Sequence, residues 1–189
     1  SKDAGQDRVF VDIDDTVIEV YSPNKHGAGI GYTNIRGLNA LLVTASTAQS
    51  APINVGQQLG KGAAHSVRGA HKLLSDSLAT LHRMPGQNTP VMVRADSAYY
   101  SARVAHTVIA NGADFSVAVP MQSNIKAAIA AIAPHAWQRI QYSQAIWDED
   151  SQRWVSAAEV AEIGFTAFSS KKDPAQQLPG RLVVRRIPE

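Results

Sequence analysis

Two short apolar runs, each carrying carboxylates, constrain this chain more than any other feature. They are Val9-Phe10-Val11-Asp12-Ile13-Asp14-Asp15-Thr16 and Val91-Met92-Val93-Arg94-Ala95-Asp96. Apolar runs of this length, bounded by polar sequence, predict buried strands. A carboxylate at the end of a buried strand is costly unless something pairs with it, and a divalent metal ion is a partner that suits it. Side chains alternate along a strand, so Phe10, Asp12, Asp14 and Thr16 share one face, while Val9, Val11, Ile13 and Asp15 share the other. Asp14 and Asp96 are therefore candidate ligands of one metal site assembled from distant parts of the chain. For Asp96 a helix-capping role competes. Asp12 shares the face of Asp14 and is a second candidate. Thr16 is expected to support the site through hydrogen bonding, and Asp15 to point away and pair with a base. Arg94 shares the face of Asp96 and suits either a phosphate contact or an ion pair with a nearby acid.

The remaining chain sets these strands in an α/β order. Further strands are expected at 31–33 and 38–45, giving an antiparallel meander with the first. A helix is predicted over 62–82 from Ala63, Val67, Ala70, Leu74, Leu78 and Leu81, which recur near the 3.6 period, with Pro85-Gly86 ending it. Lys61, His65, Arg68 and Lys72 would line another face of that helix. The strand ending at Asp96 leads into a helix capped by Asp96 or Ser97, with Gly112 beyond its end. A strand over 114–119 and a helix from Ser123, stopped by Pro134, follow. Beyond Pro134 the sequence turns β-rich: short strands are expected at 137–142, 145–147, 153–155, 165–168 and 182–187. Asp148-Glu149-Asp150 would form a hairpin tip, Glu159 and Glu162 a short helix, and Trp137, Trp147 and Trp154 a small core. The predicted division is a disordered tail over 1–7, a core over 8–133 and a β-rich segment over 134–189.

Composition narrows the chemistry. The chain has 189 residues and no cysteine, which excludes disulfides and thiolate metal sites and leaves carboxylate, histidine or backbone ligands. Nothing reads as a membrane span or a signal-peptide head, so a cytoplasmic protein with no membrane partner is expected. The formal charge is only +2. Lys171-Lys172 and Arg181 with Arg185-Arg186 concentrate positive charge late in the chain, where it could track a nucleic-acid backbone. The chain stops directly after a strand-like run, so a piece of a longer protein is expected.

Three segments together resemble the catalytic domain of DDE-type bacterial insertion-sequence transposases. They are Asp12-Ile13-Asp14-Asp15-Thr16, Gly27-Ala28-Gly29-Ile30-Gly31-Tyr32, and Arg94-Ala95-Asp96-Ser97-Ala98-Tyr99-Tyr100. The resemblance runs from about Val9 to the end. It implies a ribonuclease H-like fold, a mixed five-stranded sheet flanked by helices with the first and fourth strands adjacent, followed by the start of a β-rich insertion. It implies Asp14 and Asp96 as the first two catalytic acids and metal ligands, with Asp12, Thr16 and Arg94 as possible catalytic or supporting residues. Mg²⁺ or Mn²⁺ would be the cofactor, with two ions roughly 3.5–4 Å apart in such enzymes. The partners implied are double-stranded DNA, at the element ends and the target, and a second copy in a synaptic complex at the bacterial nucleoid. Lys61, Arg68, Lys72, Lys171, Lys172, Arg185 and Arg186 are the candidate DNA-binding residues. The family's third acid, a Glu on a helix beyond the insertion, has no clear counterpart. Glu159, Glu162 and Glu189 are the late candidates, and a catalytically incomplete core is expected.

Two other readings compete. Val-Asp-Ile-Asp-Asp-Thr also resembles the signature of haloacid dehalogenase-like phosphatases, with Asp12 as nucleophile, Asp14 as general acid/base and Asp96 as a metal ligand. Strands rather than a flap after Thr16 count against it. A non-catalytic DNA-binding remnant of a transposase is the other.

Overall fold

A computed structural model describes residues 8–22, 24–31, 33–62, 67–84, 89–149 and 152–188. The expected tail at 1–7, the turn residue Pro23, Tyr32, Ala63, His65, Pro85-Gly86, Asp150 and Glu189 lie outside the described residues. The chain divides at Pro120/Met121 into two compact units.

The first unit is built on β1 (Val9–Glu19), β2 (Gly29–Ile30), β3 (Arg36–Thr47), β4 (Ser50–Lys61), β5 (Val91–Ala95) and β6 (Asp114–Val117). They form one six-stranded sheet in the order β2-β3-β1-β5-β6, with β4 also on β3. β3 runs antiparallel to both β1 and β4, whereas β1, β5 and β6 are mutually parallel. With the two-residue β2 set aside, the order is third, second, first, fourth, fifth, which is compatible with a ribonuclease H-like arrangement. The parallel pairs are linked through α1 (Ala70–His82) and α2 (Ala102–Ala110), as parallel neighbours require.

The core follows from alternation on the strands and the 3.6 period on the helices. Val9, Val11 and Ile13 of β1, Leu41, Val43 and Ala45 of β3, and Val91 and Val93 of β5 turn inward. They meet Leu74, Leu78 and Leu81 of α1 and Val104 and Val108 of α2. Each fully buried aliphatic side chain of this kind contributes about 1.5–3 kcal/mol of transfer free energy.

Three expectations for this unit need correction. The strand expected at 38–45 forms as the middle of β3 but is followed by an unexpected strand, β4, and at the strand expected over 31–33 Gly31 and Thr33 lie in no strand, Tyr32 being outside the described residues. Ser50–Lys61 is mostly exposed and its apolar residues, Ile53, Val55 and Leu59, are interrupted by Gly, Gln and Asn, so this edge strand carries a weak apolar signal. The long helix begins at Ala70, not 62, because Gly69 adopts φ +89°, a left-handed conformation that breaks helical continuity. Lys61 therefore ends β4, Arg68 precedes the helix, and only Lys72 lies on it, paired with Asp76 at 2.7 Å. The two do not share a helix face with Lys72.

The second unit holds α3 (Ser123–Ala130), β7 (Gln138–Asp148), β8 (Arg153–Ala167) and β9 (Leu178–Arg186), the strands forming an antiparallel sheet in that order. α3 belongs to this unit by compactness, so the sequence boundary near 134 falls after it. The short strands expected at 137–142 and 145–147 are one strand with a register shift between Gln141 and Ile146. Those expected at 153–155 and 165–168 are the two ends of β8. Glu159 and Glu162 lie on β8, not on a helix, and face arginines across the strand: Glu159 meets Arg186 at 2.7 Å and Glu162 meets Arg181 at 3.0 Å. Nor do the tryptophans form a core. Trp147 and Trp154 are 45% and 68% exposed and pack edge to face across the hairpin, with ring centroids 5.8 Å apart. Small residues fill the interior instead, with Val155, Ala158, Ala161 and Leu182 buried.

Candidate active site

β1 and β5 are parallel neighbours with Asp12 opposite Arg94 and Ile13 opposite Ala95, the last pair of their register. Asp14 and Asp96 directly follow Ile13 and Ala95. Asp96 keeps an extended backbone (φ −77°, ψ −179°), so the alternation of faces carries through it. Both carboxylates emerge on the face that bears Asp12 and Arg94, and both residues are exposed. Thr16, two residues on from Asp14, is exposed on the same face.

Each of these carboxylates is oriented by backbone. Asp14 Oδ1 accepts the Asp15 N–H at 2.8 Å. Asp96 Oδ1 accepts the Ala98 N–H at 2.9 Å and caps a single 3₁₀ turn, Ser97–Tyr99. The capping role and the candidate ligand role thus coexist on one side chain. The following helix has its own cap, since Ser101 Oγ accepts from the Val104 N–H at 3.3 Å. Gly112 stands past the end of that helix at φ +73°, as its position after the apolar stripe predicts.

Asp12 is held differently. Arg94 donates Nε and Nη2 to its two oxygens, both at 2.7 Å, and the guanidinium also lies 4.5 Å from the centre of the Phe10 ring. The bidentate geometry makes this an ion pair, and the hydrogen bond to Asp12 raises the Arg94 pKa above its ordinary value. Of the two roles open to Arg94 in the sequence, the ion pair is the one formed.

Asp15 faces inward as its phase predicts, but its partners are not basic. It accepts from Asn39 Nδ2 at 2.5 Å and from the Tyr99 hydroxyl at 3.5 Å. Tyr99 is fully buried and Asn39 is 5% exposed. Burial, then the charges of Asp15, Asp14 and Asp96, push the Tyr99 hydroxyl far above the usual tyrosine range, so it remains a protonated donor. Neither Tyr99 nor Asn39 is marked out by the sequence. The only local signal was an acid, Asp15, in phase with the apolar side of its strand.

Among the described residues no three His, Asp or Glu side chains converge closely enough to hold a metal ion. Two exposed carboxylates just past the end of the β1–β5 pairing still suit Mg²⁺ or Mn²⁺, which favour oxygen ligands and retain several waters while using one or two carboxylates. The donor set therefore fits a weakly held divalent ion.

The other candidate residues are dispersed. Lys61, Arg68, Lys72, Lys171 and Lys172 are exposed. Arg185 is engaged by the Tyr142 hydroxyl at 2.7 Å and Asp148 at 3.2 Å, and Arg186 by Glu159, with its guanidinium 3.8 Å from the Trp137 ring centre. Their charge is largely committed within the second sheet. Among the described residues no helix is long and apolar enough to cross a membrane.

The phosphatase alternative loses its basis here. Asp12, its nucleophile, is clamped bidentately by Arg94, and β1 is flanked by an antiparallel strand rather than standing in an all-parallel sheet.

No curated protein sequence matches the chain. Among solved structures it is similar to a piggyBac transposase in a cryo-EM synaptic complex with hairpin DNA, at 13% identity and a TM-score of 0.35. That alignment covers 92% of this chain and 32% of the other, so the chain spans about a third of that protein's length. The model of one family, transposase DDE domain group 1, matches residues 2–183. The chain accordingly belongs to the transposase DDE domain group 1 family.

Proposed function

We propose that this chain is the catalytic-core portion of a DNA transposase, with Asp14 and Asp96 as the first two acids of the site. The observation that carries the reading is that β1 and β5 are parallel neighbours whose pairing ends one residue before each acid. Both carboxylates then lie on one face, and among the described residues neither is in a salt bridge, unlike Asp12. Mg²⁺ or Mn²⁺ bound there would polarise a scissile phosphodiester and lower the pKa of a bound water. The chain's own part is to hold the two carboxylates at fixed separation, to cap the turn after β5, and to keep Arg94 on Asp12 and away from them.

The substrate class is double-stranded DNA at element ends and target, and the working assembly is a pair of copies. Exposed Lys61, Arg68, Lys171 and Lys172 are better placed for phosphate than Arg185 and Arg186, whose charge is already paired. We further propose that the second unit is the beginning of a β-rich insertion. Glu159 and Glu162 are each bound to an arginine there, which counts against either of them as the third acid and supports a core that does not cut alone.

The test is Mn²⁺ titration of the 189-residue chain alongside nicking of supercoiled plasmid. Weak binding that is lost in both Asp14→Ala and Asp96→Ala, with no nicking, is expected. Efficient metal-dependent nicking that Asp14→Ala leaves intact would refute the assignment.

A further inference from the structure

The two acids lie just past the last register pair of β1 with β5, Ile13 with Ala95, so the β1–β5 ladder does not itself set their separation. Contacts beyond that ladder set the spacing of the two acids. Asp15 follows Asp14 and supplies the N–H that orients its carboxylate. Tyr99 belongs to the turn that Asp96 caps, and its own N–H donates to the Asp96 carbonyl at 3.2 Å. The Tyr99 hydroxyl and Asp15 carboxylate then meet beneath the exposed pair, and Asn39 of β3 holds the second Asp15 oxygen. Three segments distant in sequence are joined by two side-chain hydrogen bonds at a depth where Tyr99 and Asn39 have almost no contact with solvent. A polar chain buried this way is costly to interrupt, because each lost link leaves its neighbour unsatisfied.

We infer that Asn39, Asp15 and Tyr99 form a positioning chain that fixes the spacing of Asp14 and Asp96 for a divalent ion. None of the three touches the ion; they act through the two acids. The inference rests on the assignment of Asp14 and Asp96 as ligands. Removing partners one step behind metal ligands weakens metal affinity by roughly 10–100-fold. The chain should sit at the lower end, since two carboxylates remain to bind.

The experiment compares Mn²⁺ affinity, by calorimetric titration, and thermal midpoint for the wild-type chain, Tyr99→Phe, Asn39→Ala, the double variant and Asp14→Ala. Tyr99→Phe deletes one oxygen and keeps the buried ring. Asn39→Ala acts from the opposite end of the chain and carries the test should Tyr99→Phe not fold. The expected result is native circular dichroism with Mn²⁺ binding about tenfold weaker in each single variant. The double variant should lose less than the product of the two, because both break one chain. Folded single variants that bind Mn²⁺ as the wild type does, while Asp14→Ala abolishes binding, would overturn this inference and leave the site assignment standing. Unchanged binding in Asp14→Ala would overturn both.

Discussion

The Asp12–Arg94 pair offers the sharpest quantitative test of the sheet geometry. It spans β1 and β5 at a register position where the two residues face each other directly. The side chains are 36% and 48% exposed, so solvent screens the pair. An exposed ion pair contributes about 0.2–1 kcal/mol, and bidentate geometry puts this one towards the upper end. The Arg94 contact with Phe10 adds about 0.5–1 kcal/mol. Arg94→Ala removes both and should cost about 1–2 kcal/mol. Asp12→Ala removes only the first and should cost about 0.5–1 kcal/mol. The double variant should then cost no more than Arg94→Ala alone, a coupling of about 0.5–1 kcal/mol. Urea denaturation measures this. With an m value near 2 kcal/mol/M, Arg94→Ala shifts the midpoint by roughly 0.5–1 M. All three tryptophans lie at 137, 147 and 154, in the second unit, so their fluorescence is the wrong probe. Far-ultraviolet circular dichroism, which reads α1 and α2, is the right one. Raising salt from about 0.1 to 1 M shortens the Debye length to about 3 Å and should reduce the coupling, leaving the ring contact. A coupling indistinguishable from zero at low salt would refute the claim that Arg94 is held by Asp12.

Two further outcomes follow from the packing. Gly62 is buried, and a Cβ there would run into the Gly37 carbonyl and the Gly29 backbone, so Gly62→Ala should destabilise by about 1–3 kcal/mol in the same denaturation assay. The raised Tyr99 pKa gives a pH dependence. The unfolded chain releases this proton near 10.0 while the folded chain retains it, so stability falls as pH rises above that value. Tyr99→Phe should flatten the alkaline fall in thermal midpoint, measured by circular dichroism between pH 8 and about 11, and an unchanged slope would refute the assignment.

The sequence alone determined the features that live on single elements. Alternation in Val9–Thr16 and Val91–Asp96 identifies two buried strands and puts Asp12 and Asp14 on the outer face, because side-chain direction in a strand depends only on parity. The 3.6-residue recurrence of Leu74, Leu78 and Leu81 marks α1 for the same local reason. Tertiary structure decided everything that depends on a neighbour. β4 is a strand because β3 offers it a hydrogen-bonding edge, not because its polar residues favour one. Glu159 is in a strand because β7 and β9 flank it and Glu162 because β9 does, while Trp147 and Trp154 stay exposed and Ala158 and Ala161 are buried. Parity could make Asp15 point inward, but only the meeting of β1, β3 and the turn after β5 gives it Asn39 and Tyr99. Those partners come from residues 24 and 84 positions away, and no local pattern encodes a contact that chain folding alone brings within hydrogen-bond reach.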